Sequence, residues 1–295
     1  MNSVRDFKPF PIPVVSADAP SDFAQDDGLD YLAMPKDMET YRPPMLPEPE
    51  DIARQAGAVQ ALHQVLAALR QVCEAGSKTT QSVSLVGLQP EELTLINQVL
   101  GEGEVSAQVL GPQGTPAVHI QESVFAGVWR VIETLNDGGL RDRIEVGAIP
   151  EVLRETAKQD GQRMVADLPP LPTDIMNVPS VLVELADQRA HWQPGQASHV
   201  VNLSLLPLTP TDIAHLDHQL GTGRVLILSR GYGNCRITNC AVPDTWRVVY
   251  YNSQDAVILN SVEVCDMPEV ACAAPEDLMD SMERMTEVLQ WVNQA

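Results

Sequence analysis

Aromatic side chains make up only 4% of this 295-residue chain, so any core must be built from aliphatic residues. Positive charge is short as well: 19 Lys and Arg stand against 40 Asp and Glu, a formal charge of 19 − 40 = −21. That excess repels phosphate backbones, and no basic stripe interleaved with aromatics offsets it. Both facts argue against nucleic acid and for a basic or cationic partner. No apolar run approaches the roughly 20 residues that span a bilayer, so membrane insertion is not expected. Near the amino terminus Arg5 and Lys8 are accompanied by Phe7, Pro9, Pro11 and Pro13 in place of an apolar core and a small-residue cleavage site. The expectation is therefore no export signal and a cytoplasmic protein, in which an odd count of five cysteines stays reduced. Phosphate loop, nucleophile elbow, Rossmann fingerprint and Cys-x-x-Cys pair are all missing, which leaves no catalytic constellation, cofactor or metal to assign.

At this length two domains of ordinary size fit, each with its own core. Residues 1–50 hold nine of the 23 prolines and ten acidic against four basic side chains, and read as an extended acidic arm. Within it, Tyr41, Met45 and Leu46 are apolar anchors that could lie on a domain surface. From Asp51 a helix is signalled by Ile52, Val59, Leu62, Leu66, Leu69 and Cys73 on one face, with Gly76 ending it. Pro90 opens a second helix with Glu91 and Glu92 near its positive end, Leu93, Ile96 and Leu100 as its stripe, and Gly101 as its stop. Strands are expected at 82–86, 105–110, 117–121, 127–134 and 143–146, with turn residues that suit hairpins and an antiparallel sheet. Pro150 starts another helix, and a linker over 168–179, rich in proline, separates a first domain at 51–167 from a second at 180–295.

The second half repeats the first. At an offset of 120, eight of the 22 residues from 84 to 105 are identical, among them Pro90 with Pro210, Gly101 with Gly221 and Gly103 with Gly223. Trp129-Arg130-Val131 recurs as Trp246-Arg247-Val248, and Pro150-Glu151-Val152 as Pro268-Glu269-Val270. Duplication implies an α+β fold of two tandem repeats, each a mainly antiparallel sheet with packed helices, arranged about a pseudo-twofold or side by side. Thr209 with Asp212 forms a capping box in the second copy.

What the copies do not share points to function. The second copy has Ser229-Arg-Gly-Tyr-Gly-Asn-Cys-Arg-Ile237 where the first has Leu110-Gly111-Pro112-Gln113-Gly114. A hairpin with an exposed, locally basic tip follows, and its candidate partner-binding residues are Arg230, Gly231, Tyr232, Gly233, Asn234, Cys235 and Arg236. Beside Arg236, Cys235 is the cysteine whose thiolate would be favoured. Buried, reduced thiols are the plainer reading of all four cysteines of the second copy, Cys235, Cys240, Cys265 and Cys272; the alternative pairs Cys235 with Cys240 or Cys265 in cluster or redox chemistry. His215 and His218, one helical turn apart, default to a solvated face. The carboxyl-terminal helix from Pro275, with Leu278, Met282, Met285, Leu289 and Val292 on one side, is expected to dock on its own domain.

With the 229–237 segment, Trp246-Arg-Val-Val-Tyr-Tyr-Asn-Ser253 and Leu259-Asn-Ser-Val-Glu-Val264, the chain resembles the hydrogenase expression/formation proteins of the HupH, HyaF and HoxQ type over roughly residues 50–270. The resemblance implies a non-enzymatic accessory protein for maturation of an uptake nickel–iron hydrogenase. Its implied partner is the precursor of the iron–sulfur small subunit, held in the cytoplasm before twin-arginine export, with other hydrogenase accessory proteins as further candidates.

Overall fold

The computed structural model describes residues 55–76, 79–112, 114–135, 137–162, 175–231 and 233–293. The expected arm over 1–50, the start of the first helix at 51–54 and the stretch Leu168 to Pro172 lie outside the described residues. The first copy runs α1 (Ala56–Ala75), β1 (Gln81–Ser84), α2 (Pro90–Leu100), β2 (Val105–Leu110), β3 (Pro116–Glu122), β4 (Val128–Thr134), β5 (Leu140–Val146) and α3 (Glu151–Gly161). The second runs α4 (Val178–His191), β6 (His199–Asn202), a 3-10 turn (Leu203–Leu205), α5 (Pro210–Leu220), β7 (Val225–Ser229), β8 (Asn234–Asn239), β9 (Thr245–Tyr251), β10 (Val257–Val264), a 3-10 turn (Glu269–Ala271) and α6 (Pro275–Asn293). Pro179, expected in the linker, sits in the first turn of α4, where its missing N–H costs nothing.

The ten strands of the described residues form one antiparallel sheet in the order β1-β5-β4-β3-β2-β7-β8-β9-β10-β6. The copies meet edge to edge through β2 and β7, with Val105 opposite Ser229, Ala107 opposite Ile227 and Val109 opposite Val225. Adding the repeat offset of 120 turns 105, 107 and 109 into 225, 227 and 229, so each strand pairs with its own counterpart. A pseudo-twofold axis therefore passes between Ala107 and Ile227.

Strand alternation sends side chains to two faces. On one face Trp129, Val131, Ile120, Ala107, Ile227, Ile237, Trp246 and Val248 make a single core that spans both copies, closed by Ile149 and Leu153 around the start of α3 and by Met267 and Ala271. Trp129 Nε1 donates to the Gly147 carbonyl at 2.9 Å and Trp246 Nε1 to that of Asp266 at 3.2 Å, so both buried indoles are satisfied. On the other face two separate cores lie under α1 with α2 and under α4 with α5.

Helices α3 and α6 cross over between copies. Asp160 of α3 binds Arg224 at 2.7 Å and accepts from Asn239 Nδ2 at 3.1 Å, both in the second copy, while Arg154 and Lys158 pair with Asp266. In return Leu278, Met285 and Leu289 of α6 fill the core under α1, and Arg284 donates to the Val124 carbonyl at 3.2 Å. This corrects the expectation that the last helix docks on its own copy: its apolar stripe is present as read, but its acceptor is the first copy.

Carboxylates at matching positions knit each helix pair. Glu92 accepts from Gln89 N at 2.9 Å and from Gly57 N at 2.8 Å, capping α2 and the start of α1 together. Asp212, fully buried, accepts from Thr209 N at 3.0 Å and from Met176, Asn177 and Val178 N at 3.0, 3.1 and 3.2 Å, which caps α5 and α4. Burial alone would raise the pKa of Asp212, but the backbone donors and the Thr209 hydroxyl outweigh it and hold the carboxyl below its ordinary range. Its contribution is thus present above the unfolded pKa of about 3.9 and is lost as pH falls through the depressed native value. Asp212→Ala is expected to cost about 2–3 kcal/mol in urea denaturation at pH 7. The gap between variant and parent should narrow as the titration is repeated at progressively lower pH below 4.

Candidate partner-binding site

The expected hairpin is present: β7 and β8 pair with Ser229 opposite Cys235 and Ile227 opposite Ile237. Arg230, Gly231 and Gly233 of its turn are exposed, and Tyr232 lies outside the described residues. Gly233 has φ +104°, a conformation L-residues avoid, whereas Gly231 does not. The turn leans on the first copy, where Arg230 N donates to the Glu104 carbonyl at 3.1 Å and the Glu104 carboxylate lies against Gly231.

Strand alternation divides the other candidates. Asn234 is half-buried. Cys235 is 0% exposed in the core shared by both copies, so it cannot touch a partner at the surface, and that part of the expected site is corrected. Burial also pushes its thiol up to about 12, with the Tyr250 hydroxyl beside it opposing the rise. Arg236 projects from the opposite face and does not promote the thiolate. The alternation Cys235, Arg236, Ile237 carried this information in the sequence.

The cysteines divide between the two faces of the sheet. Cys235 and Cys265 share the common core with Cys272 packed against it, while Cys240 belongs to the core under α4 and α5 on the other face. Burial raises the Cys240 and Cys272 thiols to about 12 and 11, and raises that of Cys265 as well. His215 is buried on α5, 3.2 Å from Gln219 Nε2, and His218 is exposed; the solvated-face expectation holds for the second alone. Among the described residues no three His, Cys, Asp or Glu side chains are grouped to hold a metal ion.

Two features at this end of the sheet were not read from the sequence. The pairing of Asn234 with Tyr251 puts the β7–β8 turn and the β9–β10 connection at the same end. Asn260 N donates to Ser204 Oγ at 2.8 Å, which brings the 3-10 turn alongside the start of β10. The result is an aliphatic corner in which Leu205 is 79% exposed and Ile258 60%, flanked by Leu206 and Val257. The second feature is Glu122, 7% exposed beneath the Glu104 side of the turn. Burial drives its pKa to about 7; hydrogen bonds from Gly127 and Val105 N–H oppose this, and the charges of Glu104 and Asp277 add to it. The equivalent position in the second copy, 117 residues on, is the neutral Asn239.

Comparison with known proteins agrees with this two-copy organisation. The family model described as HupH hydrogenase expression protein, C-terminal conserved region, matches twice, at residues 56–168 and 175–292. The hydrogenase expression/formation protein HoxQ of Cupriavidus necator is 53% identical over 283 residues, covering 96% of this chain and 98% of its own. The hydrogenase expression/formation protein HupH of Rhodobacter capsulatus is 44% identical over 281 residues, covering 95% and 98%. A solved structure of a hydrogenase expression protein HupH from Thiobacillus denitrificans matches with 29% identity and a TM-score of 0.36, over 40% of this chain and 96% of that one.

The turn geometry separates its two glycines. Gly233→Ala should cost about 1–2 kcal/mol through backbone strain, while Gly231→Ala, which meets only the end of the flexible Glu104 side chain, should stay within about 0.5 kcal/mol in the same denaturation assay. For Glu122 the raised native pKa means stability is greatest below about 4.3, the unfolded value, and declines as pH rises through about 7. Glu122→Gln is expected to melt higher than the parent at pH 8 and to lose that advantage at pH 5, read by thermal unfolding at both pH values.

Proposed function

The chain belongs to the family of HupH hydrogenase expression proteins, and from that membership we propose that it is an accessory chaperone for maturation of an uptake nickel–iron hydrogenase. In this reading it binds the precursor of the iron–sulfur small subunit in the cytoplasm, before assembly with the large subunit and export by the twin-arginine route. The observation that carries the proposal is the family match to both copies, together with relatives that are similar over nearly their whole length and named for hydrogenase expression and formation. Among the described residues no helix is long and apolar enough to cross a membrane.

The binding surface we assign is the hairpin end of the second copy. Arg230, Gly231, Tyr232, Gly233 and Asn234 would supply polar and backbone contacts, with Arg236 at the flank, and Leu205, Leu206 and Ile258 the apolar area that such contacts surround in stable interfaces. The acidic remainder of the protein would steer a basic client segment toward it. The thiols are buried and pushed up, and Cys240 lies on the other face from Cys235, which gives no support to the cluster-carrier alternative.

Anaerobic co-purification with the small-subunit precursor tests this. Capture by the parent should fall steeply with added salt, and Arg230→Ala combined with Leu205→Ser should weaken it about tenfold, the equivalent of about 1.4 kcal/mol. Undiminished capture by the double variant would remove this end of the sheet from the account, and no capture by the parent would remove the client.

A further inference from the structure

The helices that open the two copies are equivalent in sequence and unequal in cover. At an offset of 120, Ala58, Ala61 and Val65 of α1 become Val178, Val181 and Leu185 of α4, and all of these are buried. The match breaks on the flank of the helix. Leu62 and Leu66 are 0% and 6% exposed, whereas their counterparts Leu182 and Ala186 are half-buried and exposed. The element that makes the difference is α6. Its Leu278, Met285 and Leu289 complete the core under α1, while the core under α4 has no third helix among the described residues.

What this leaves uncovered on α4 is an apolar strip. Met176, Val183 and Ala190 recur every seven residues, close to two helical turns, with Pro179, Leu182 and Ala186 beside them on the same flank. Met176 is 73% exposed and Val183 70%. Helix α4 spans 14 residues, about 21 Å, so about four turns of a second helix can lie along it. The small side chains of Ala186 and Ala190 let that helix approach to the ordinary packing distance of about 8–10 Å.

The first copy shows what kind of element such a flank accepts: an amphipathic helix whose buried side chains, Leu278, Met285 and Leu289, are spaced by seven and four. Charge selects among occupants of that shape. Exposed Glu184 and Asp187 stand on α4, and their ion-pair partners among the described residues are His199 and His191, with no lysine or arginine. The arginine of this helix, Arg189, is turned inward with NH1 buried. A second copy of the chain would bring another net −21 against the same carboxylates, which disfavours self-association along the strip. We infer that the outer strip of α4 is a docking surface for a helix of a partner protein, one with an apolar stripe at this spacing and lysine or arginine along its margins. In the chaperone reading, on which only the source of that helix rests, it is a segment of the client.

The test titrates the full chain against a labelled synthetic helix with leucines at that spacing and lysines on its margins, with binding read by fluorescence anisotropy. Met176→Ser combined with Val183→Ser should weaken binding about tenfold. Val86→Ser, at a valine 74% exposed in the first copy, should leave it unchanged. A peptide with glutamates for lysines, or one shuffled to break the stripe, should bind at least as weakly as the parent peptide binds the double variant. Equal binding to parent and double variant, or by ordered and shuffled peptides, would overturn the proposal. So would a double variant that melts several degrees below its parent, which would mean that the strip is already covered from within the chain, or a parent dimer that the double variant dissociates, which would put a second copy there. Because the probe is synthetic, its failure removes this surface alone, whereas failed capture of the small-subunit precursor removes the client alone.

Discussion

Backbone pairing between Val105–Val109 and Val225–Ser229 is the constraint from which the rest of the architecture follows. Each copy alone would present β2 or β7 as an open edge, a row of unpaired donors and acceptors that proteins normally hide. Pairing each edge with its own counterpart removes both. Among the described residues it leaves β1 and β6 as the outer strands, edges of four residues each. It also puts Val105, Ala107 and Val109 on the same face as Val225 and Ile227, so the central core cannot be assigned to either copy. Helices α3 and α6 then reinforce what the seam begins, because α6 completes the core under α1 and α3 binds Arg224, Asn239 and Asp266 of the second copy.

Symmetry in backbone does not mean identity in side chains, and the buried arginines show how the copies have diverged without losing balance. In the first copy Arg130 has a helix amide, Asn97, and a strand carboxylate, Asp142, bound at 2.5 Å through Nε and NH2. At the equivalent places the second copy has Asp217 on the helix and Asn260 on the strand. The charge has moved from strand to helix, and each guanidinium still faces a carboxylate, as a buried cation requires. The exchange costs geometry: Asp217 stands 3.5 Å from Arg247, whose three guanidinium nitrogens make no hydrogen bond among the described residues, and Asn260 Oδ1 likewise finds no partner among them. Burial lowers the Arg247 pKa and raises that of Asp217, which the pair's mutual attraction opposes in both.

Local grammar made much of this fold legible in the sequence. Helical stripes, Pro90 and Pro210 at helix starts, the Thr209–Asp212 box and the glycine turns all act within a few residues, and each appears where it was expected. The joining of the copies was not legible, because a seam strand such as Val105–Leu110 alternates like any half-buried strand and says nothing of its neighbour. The stripe Leu278, Met285 and Leu289 likewise reveals that a helix face is buried, not what buries it. At one place sequence identity misled. Ser84-Leu85 matches Ser204-Leu205 at offset 120, yet strand pairing makes Ser84 equivalent to Asn202 and Leu85, 2% exposed, equivalent to Leu203, 3% exposed. The second copy has two extra residues there, and they create the exposed corner at Leu205 and Leu206.

That insertion and the Arg230–Gly233 turn lie at the same end of the sheet, and the pseudo-twofold axis explains why such features can accumulate on one copy. Leu110 N donates to the Arg224 carbonyl at 2.8 Å, so the first copy's equivalent turn lies by the start of β7, while the second copy's turn follows its end. The two turns therefore sit at opposite ends of a shared strand pair. A change in one alters neither the seam register nor its counterpart, and only interior positions such as Ala107 and Ile227 must satisfy both copies at once. Features peculiar to one copy can therefore accumulate at a single end without disturbing the seam.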